Sequence, residues 1–315
     1  MKSCLIITVY ENRYTNLINW LESPKSWIKE KVDIFLLVQE NDPCKDEYKS
    51  LCNHINILYC NAKNICEKRK YGYHWAIDNG YDVLIWTDDD INPVAKYLDF
   101  KTKSSTGNSY KQLNIEIDSL YWKLLKLIEK YPDGGVYTSM RPGYLGFQTK
   151  CQEIPNIDHL VYPVQLCAIN LNNTKDIIDY PSSDKEYFED QAFVIDCLIA
   201  GMHIYGIPNF TFSSIKNYNW NKNTSIVFSD KLGGKYKFEK FLIGQYNKYG
   251  GDLYLNKKGI LTPKLKYSKY FNNNNIPIPF SKEFDEELRK ICSEEKVTNE
   301  TVDKVYEYLK SKKGA

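Results

Sequence analysis

The sequence predicts an α/β protein with a mostly parallel sheet flanked by helices, followed by a basic, helical C-terminal extension. Short apolar runs recur through the first two thirds of the chain, and most of them end on polar residues. Segments with helical periodicity separate these runs, an alternation typical of a sheet with helices on both faces. The chain has 315 residues, of which 43% are hydrophobic, and this is enough to form a large hydrophobic core. We expect domains at residues 1–215 and 216–315.

The apolar runs predict strands, and the longer periodic segments predict helices. Strands are predicted at residues 4–10, 32–38, 55–59, 83–86, 135–140, 159–169 and 204–212, the last an edge strand. Helices are predicted at residues 16–27, 64–79, 115–131 and 186–201, with one or two surface helices after residue 280.

The predicted strand at residues 83–86 runs directly into three carboxylates, Asp88, Asp89 and Asp90. Its residues are all apolar, which indicates a strand buried on both faces in the middle of a parallel sheet. Adjacent carboxylates repel one another, and a divalent cation with oxygen ligands would compensate them. Ligands of open α/β sheets gather at the carboxyl ends of the strands. We therefore expect a metal and a phosphate there, with a solvated acidic turn as the alternative.

Two further groups of polar residues are candidates for the same edge of the sheet. The predicted helix at residues 64–79 carries Lys68 and Arg69, which could neutralise a diphosphate or form a solvated basic face. Gln39 and Glu40 follow the second predicted strand, where they could contact a nucleoside or lie in a loop.

A second acidic pair, Glu189 and Asp190, lies near the predicted start of the helix at residues 186–201. Acidic residues there complement the helix dipole, which is a sufficient structural reason for them. The functional interpretation is a general base that takes a proton from an acceptor hydroxyl. Together with the acidic strand end upstream, the pair favours that second interpretation.

Two segments are predicted to surround such a site. Residues 99–114 are polar and show little hydrophobic pattern, which predicts a mobile insertion or lid. Residues 141–147 contain Gly and aromatic residues that suit a loop facing an acceptor.

Residues 231–270 are strongly basic. Ten Lys against Glu239 and Asp252 give this segment a charge of +8, and six Tyr are interleaved with the lysines. Basic side chains hold phosphates and aromatic rings stack on bases, so the segment could bind nucleic acid. The alternative is an ordinary Lys-rich exterior.

The whole chain has a net charge of +2, so there is no overall signature of polyanion binding. Its nine cysteines are scattered, which predicts mostly free thiols in a reducing compartment. The first apolar run is too short for a signal peptide, and no segment is long enough to span a membrane. We expect a cytoplasmic protein, in the host cytoplasm if it is viral or from a bacteriophage.

The order of these features resembles that of GT-A fold glycosyltransferases, which transfer a sugar from a nucleotide donor. The resemblance covers roughly residues 3–215 and rests on YENR at 10–13, KRKYGYHWA at 68–76, IWTDDD at 85–90 and FEDQAFVIDCLIAG at 188–201. Residues 1–98 would be the nucleotide half and 115–215 the acceptor half. More narrowly, the chain is similar to phage glycosyltransferases associated with TET-type oxygenases, whose proposed acceptors are hydroxymethylated pyrimidines in DNA.

The resemblance implies a divalent metal, Mn or Mg, and a nucleotide-sugar donor, UDP-linked. Asp90 and Asp88 would ligate the metal in a DXD motif, with Asp88 also contacting the donor and Asp89 shaping the loop. Asp190, paired with Glu189, would be the base if the enzyme is an inverting hexosyl- or pentosyltransferase. In a retaining reaction Asp190 need not be a base.

The nucleotide pocket implied by the resemblance would be lined by Tyr10, Arg13, Lys68 and Arg69, with Gln39 nearby. The sequence departs from the family pattern in one respect. Many GT-A enzymes have a His metal ligand late in the chain, whereas the last His here is His203, inside the predicted core.

Three alternatives remain from the sequence. One keeps the enzyme and changes the acceptor to a glycan, a protein or a lipid-linked sugar. The second is a sugar nucleotidyltransferase, which usually has a Gly-rich phosphate loop near the first strand, whereas TVYENRYTN contains no Gly. The third is a non-catalytic module that binds nucleotides or DNA.

Overall fold

The computed structural model describes residues 1–10, 17, 31–50, 55–89, 94–103, 110–139, 166–181, 189–207, 210–211, 236–249, 252–255, 257, 259–264, 285–293 and 296–313. The chain divides into two compact units. The first contains residues 1–184 and 189–218, and the second contains residues 185–188 and 219–315. The predicted boundary between residues 215 and 216 lies outside the described residues, and the two functional domains stay a prediction.

Twelve strands are described. They are β1 (Ser3–Thr8), β2 (Asp33–Gln39), β3 (Asn56–Cys60), β4 (Val83–Asp88), β5 (Val94–Lys103), β6 (Tyr110–Glu116), β7 (Gly134–Ser139), β8 (Leu166–Asn170), β9 (His203–Ile207), β10 (Phe210–Thr211), β11 (Asp252–Leu255) and β12 (Leu261–Lys264).

The described helices alternate with these strands in the first unit and predominate in the second. They are α1 (Lys45–Ser50), α2 (Ile65–Asp78), α3 (Ile117–Lys130), α4 (Leu171–Thr174), α5 (Glu189–Ile199), α6 (Lys237–Tyr249), α7 (Glu286–Cys292) and α8 (Asn299–Lys313). None of these helices is long and apolar enough to cross a membrane.

The main sheet of the first unit has seven strands in the order β3-β2-β1-β4-β8-β7-β9. β3, β2, β1 and β4 are parallel to their neighbours in that order, and so are β7 and β9. Only β8 runs against both of its neighbours. The predicted fold class, a mostly parallel sheet flanked by helices, is therefore confirmed, and β9 is an edge strand as predicted.

β4 lies at the centre of this sheet, between β1 and β8. Its side chains alternate between the two faces. Val83 and Ile85 pack into a core that includes Tyr121 and Leu124 of α3. Leu84 and Trp86 occupy the opposite face and are also buried. The strand is thus buried on both faces as predicted, although one of its two neighbours is antiparallel.

Helix α2 covers the Trp86 face of β4. The side chain of Asn64 caps its first turn by accepting a hydrogen bond of 2.9 Å from the Glu67 N–H. The chain leaves the helix through Gly80, whose φ of +67° favours Gly. Gly72 lies so close to the sheet that a Cβ added there would be 2.4 Å from Cη2 of Trp86. The missing side chain therefore allows helix and indole to touch.

Residues 99–114 differ from the predicted insertion, because much of the segment is strand. β5 and β6 form an antiparallel pair, and β10 pairs with the outer side of β5. The sequence did not predict these strands because their residues are mostly polar. Backbone hydrogen bonds between neighbouring strands form without an apolar face. Residues 104–109 lie outside the described part of the chain.

The second unit has its own core. Leu242, Ile243 and Tyr246 of α6 pack with residues of β11, β12, α7 and α8. The prediction of surface helices after residue 280 is confirmed, because each helix is largely exposed and buries one face. Leu288 and Cys292 of α7 and Val302 and Val305 of α8 are buried in this core.

We expect Gly72→Ala to destabilise the protein by about 1–3 kcal/mol, because the new methyl group would overlap the Trp86 ring. Gly244→Ala is the matched control, since Gly244 is also helical and its added Cβ would meet nothing within 4 Å. Removing that helical Gly should stabilise by up to about 1 kcal/mol. Urea unfolding followed by circular dichroism measures both, and equal effects would contradict the close packing of α2 on β4.

Candidate active site

An ion-pair network joins β4, α2 and α5 at the carboxyl end of the parallel strands. Arg69 of α2 donates through Nη2 to Oδ1 of Asp88, at 2.8 Å, and through Nη1 to Oε1 of Glu189. Asp88 also accepts a hydrogen bond of 3.3 Å from Oγ1 of Thr8, at the end of β1. One guanidinium therefore brings together the acidic strand end and the acidic helix start predicted from the sequence.

The network is largely shielded from water. The side chains of Arg69 and Glu189 are 13% and 5% exposed, whereas that of Asp88 is 26% exposed. Burial opposes the charge of Arg69, but the carboxylates of Glu189 and Asp88 raise its pKa well above the ordinary value. The Cys66 thiol donates to Oε2 of Glu189 at 3.6 Å. Burial and then Glu189 raise the pKa of that thiol, which keeps it protonated as a donor.

A small pocket opens beside this network, with about 230 Å³ of empty space. We call it the Arg69–Trp86 pocket. Its lining residues come from α2, β4, β8, the segment after α4, and α5, and they are Arg69, Trp86, Thr87, Asp88, Cys167, Tyr180 and Asp190. Asp190 and Asp88 thus face the same pocket, while Glu189 is buried behind it and holds Arg69.

Lys68 and Asp89 hold a single peptide group at the end of β1. Lys68 Nζ donates to the Val9 carbonyl at 2.6 Å, and Oδ2 of Asp89 accepts from the Tyr10 N–H at 2.9 Å. Both side chains are 4% exposed. These contacts fix the backbone next to Tyr10, whose side chain is 50% exposed. The structure therefore places Lys68 and Asp89 behind the site and Tyr10 at its surface.

The remaining predicted site residues are more widely placed. The amide of Gln39 is bonded within the sheet, accepting from Ala62 N at 3.1 Å and donating to the Ala62 carbonyl. His203 begins β9 at the opposite edge of the sheet, where its Nε2 is 3.8 Å from Asp133. Arg13 and Asp90 lie outside the described residues.

Among the described residues, no group of three His, Cys, Asp or Glu side chains could hold a metal ion. Asp88 is the described member of the predicted metal pair. The seven described cysteines form no disulfide bonds, in line with the predicted thiols.

Sequence reasoning missed Thr8, Trp86, Cys167 and Tyr180 as neighbours of the site. Thr8, Trp86 and Cys167 meet through pairing between β1, β4 and β8, and Tyr180 lies in the segment after α4; sequence spacing reveals neither placement. Arg69 did carry a signal, because Cys66, Arg69 and Tyr73 follow one another at helical spacing along a buried stripe of α2. A charged residue within a buried stripe needs a carboxylate partner.

The tyrosines of the basic segment 231–270 do not all face solvent. Tyr246 is 3% exposed and donates to the Asp285 carbonyl at 3.2 Å. The ring of Tyr236 is 6.2 Å from that of Tyr306 in the second unit. Tyr254 is 42% exposed. Tyr246 therefore has a packing role, and nucleic-acid binding by this segment stays a prediction.

No family model and no curated protein match the sequence. Solved structures of similar architecture include residues 1–349 of TarS from S. aureus, at 14% identity, TM-score 0.45, and coverage of 78% of this chain and 79% of that one. Glucosyl-3-phosphoglycerate synthase from Mycobacterium tuberculosis, solved with Mg²⁺ and UDP, shows 9% identity, TM-score 0.46, and coverage of 83% and 86%.

A third is mannosyltransferase PcManGT from Pyrobaculum calidifontis, solved with GDP-Man and Mn²⁺. It shows 8% identity and TM-score 0.45, with coverage of 70% of this chain and 58% of that one. At this level of similarity, function has to be inferred from the residues of the site.

We expect Arg69→Met to destabilise the protein by about 3–5 kcal/mol, because it leaves the buried Glu189 carboxylate without its counter-charge. Lys70→Met is the control on the same helix. The side chain of its partner Asp179 is 65% exposed, so Lys70→Met should lower the free energy of unfolding by no more than about 1 kcal/mol. Urea unfolding gives both values. Adding Glu189→Gln to Arg69→Met should restore part of the stability, and equal losses for the two single variants would refute the network.

The buried position of Lys68 predicts a pH dependence. Burial lowers its pKa below the ordinary 10.5, so the folded state binds fewer protons than the unfolded state between the two values. Stability contributed by Lys68 should therefore rise with pH through that interval. The measurement compares the unfolding free energies of the wild type and Lys68→Met from neutral pH up to 10.5. A difference that stays constant would show that Lys68 is not desolvated.

Proposed function

We propose that the chain is a metal-dependent glycosyltransferase that moves a sugar from a UDP-linked donor to a hydroxyl acceptor. The observation that carries this proposal is the meeting of two acidic motifs about 100 positions apart in the sequence. Asp88 ends the central strand and Asp190 begins α5, and both line the Arg69–Trp86 pocket. The motif resemblance to GT-A glycosyltransferases gives each residue a role.

The donor set fits a divalent metal. Asp88 offers carboxylate oxygens at a strand end, and its Oδ2 takes part in none of the hydrogen bonds among the described residues. Oxygen ligands of this kind suit Mg²⁺ and Mn²⁺. Asp88, together with Asp90, would hold the ion. A bound metal would offset the negative charge that develops on the leaving diphosphate.

The protein's own residues would perform the remaining steps. Asp190 takes the proton from the acceptor hydroxyl as that oxygen attacks the sugar carbon on the face opposite the leaving group. This geometry gives inversion. Arg69 keeps Asp88 in place through its ion pair with that carboxylate. Glu189 does not take part in proton transfer, because it is buried against Arg69 and Cys66.

Tyr10 would contribute to the nucleoside site. Its backbone is fixed by Asp89, and its exposed ring lies at the carboxyl edge of β1. An exposed ring held at that edge offers a face on which a base can stack. Arg13 remains a candidate for the same pocket. The acceptor is a hydroxyl group, and hydroxymethylated DNA is one acceptor to test.

The first test is thermal-shift binding to UDP-glucose, UDP-galactose, UDP-N-acetylglucosamine and GDP-mannose, with and without Mn²⁺. A ligand that binds the folded state raises the Tm by mass action. We expect one nucleotide sugar to raise the Tm only with metal, and Asp90→Ala to abolish this rise. If none of them raises the Tm with any divalent metal, the proposed function is wrong.

Asp190→Asn separates binding from chemistry. The variant should keep the metal-dependent rise in Tm and lose about 10²–10⁴-fold in turnover, measured as release of nucleoside diphosphate. Asp196→Asn, on the same helix and outside the pocket, is the control and should keep turnover close to wild type. Wild-type turnover in Asp190→Asn would exclude it as the base.

Hydroxymethylated DNA as acceptor should give turnover that falls steeply with salt.

A further inference from the structure

Three residues that line the Arg69–Trp86 pocket each carry a buried polar atom with no hydrogen-bond partner within the described part of the chain. The atoms are Nε of Arg69, Nε1 of Trp86 and Oγ1 of Thr87. Trp86 and Thr87 are 4% and 2% exposed. Leaving a donor buried and unpaired costs free energy, and native proteins rarely do so without a reason. Unpaired donors of this kind beside a pocket therefore indicate a missing ligand partner.

Strand geometry separates these atoms into two sets. Successive residues of β4 point to opposite faces, so Trp86 and Asp88 share one face and Thr87 points to the other. Helix α2 covers the Trp86 face at Gly72, and Arg69 lies one helical turn before Gly72. The free N–H groups of Arg69 and Trp86 are thus on the same side of the sheet. The Thr87 hydroxyl belongs to the opposite side.

Both groups on the Trp86 side are donors only. Each Nη atom of Arg69 already donates to a carboxylate, of Asp88 or of Glu189, whereas its Nε–H has no partner among the described residues. The indole of Trp86 has only its Nε1–H. The missing partner is therefore an acceptor, and oxygen is the usual one.

The surrounding charge selects the kind of oxygen. Three carboxylates, those of Asp88, Glu189 and Asp190, lie around the guanidinium of Arg69 at this pocket. A phosphate or carboxylate ligand would be repelled by them. A neutral hydroxyl avoids this repulsion, since it accepts from the two donors and donates its own proton to a carboxylate. The pocket is also too small to enclose a nucleotide.

We propose that the Arg69–Trp86 pocket binds one hydroxyl of the transferred sugar, and that Trp86 determines which sugar is accepted. The inference rests on the proposed function, because Asp88 and Asp190 place the reacting sugar next to this pocket. A sugar that lacks the hydroxyl, or presents it in the other orientation, would leave both N–H groups unpaired. A site built to bind a hydroxyl in this way discriminates strongly against analogues that lack it.

The test combines binding and nuclear magnetic resonance. The nucleotide sugar that raises the Tm most is compared with its monodeoxy analogues, and the ¹⁵N-labelled indole N–H signals are recorded with each ligand. The chain has six Trp, and Trp86→Phe assigns the Trp86 signal. That variant keeps an aromatic ring and removes the donor. Thr87→Val, which removes a hydroxyl on the opposite face, is the matched control.

We expect the nucleotide sugar, but not UDP alone, to shift the Trp86 indole signal. One deoxy analogue should bind about tenfold more weakly than the parent sugar nucleotide, a typical value for a lost hydrogen bond to a buried donor. This ratio should fall towards one in Trp86→Phe and stay unchanged in Thr87→Val. Folding of Trp86→Phe is checked by its Tm without ligand and by its metal-dependent binding of UDP.

Two kinds of outcome would overturn the inference, and they distinguish its failure from the failure of the proposed function. If the sugar nucleotide binds and the Trp86 signal does not move, or the ratio survives in Trp86→Phe, the hydroxyl is held elsewhere and only this inference fails. The same holds if all deoxy analogues bind equally to the wild type. If no nucleotide sugar binds at all, the proposed function fails and the inference fails with it.

Discussion

The buried guanidinium of Arg69 is the constraint on which the site depends. A charge removed from water needs partners of opposite sign, and Arg69 finds them in Asp88 and Glu189. These carboxylates belong to different elements, so the requirement ties the end of β4 and the start of α5 to one side of α2. The planar fork of Arg suits this task, since its two Nη atoms bind two carboxylates at a defined separation.

The same constraint gives two neighbouring acids different roles. Glu189 and Asp190 look equivalent in the sequence, because both occupy the first turn of α5. Packing distinguishes them. Glu189 is 4% exposed and turned towards Arg69 and Cys66, whereas Asp190 lines the pocket. A similar separation holds for Asp88, which faces the pocket, and Asp89, which binds the backbone of Tyr10. Sequence spacing found the pairs, and only tertiary contacts assign each member.

Elements with a strong pattern were predictable. The strand ending at Asp88 and the helix over residues 65–78 follow from a continuous apolar run and from an Asn cap with a Gly exit. The strands at 94–103 and 110–116 were not recognised, because their stability comes from pairing with each other and with β10. The helices after residue 285 were recognised as helices. The core that these helices form with α6, β11 and β12 was not predicted, because it depends on tertiary contacts of a few apolar residues in each helix.

Strand direction has a consequence for how the surroundings of the pocket can change in related proteins. β8 runs against β4 and β7, so Ser139 at the end of β7 and Leu166 at the start of β8 lie at the same edge of the sheet as Asp88. The connection between them therefore begins and ends next to the site. Insertions or deletions in this connection would leave the sheet register intact. The fold thus allows this side of the pocket to diversify by changes in loop length, while the central strand and its carboxylates stay as they are.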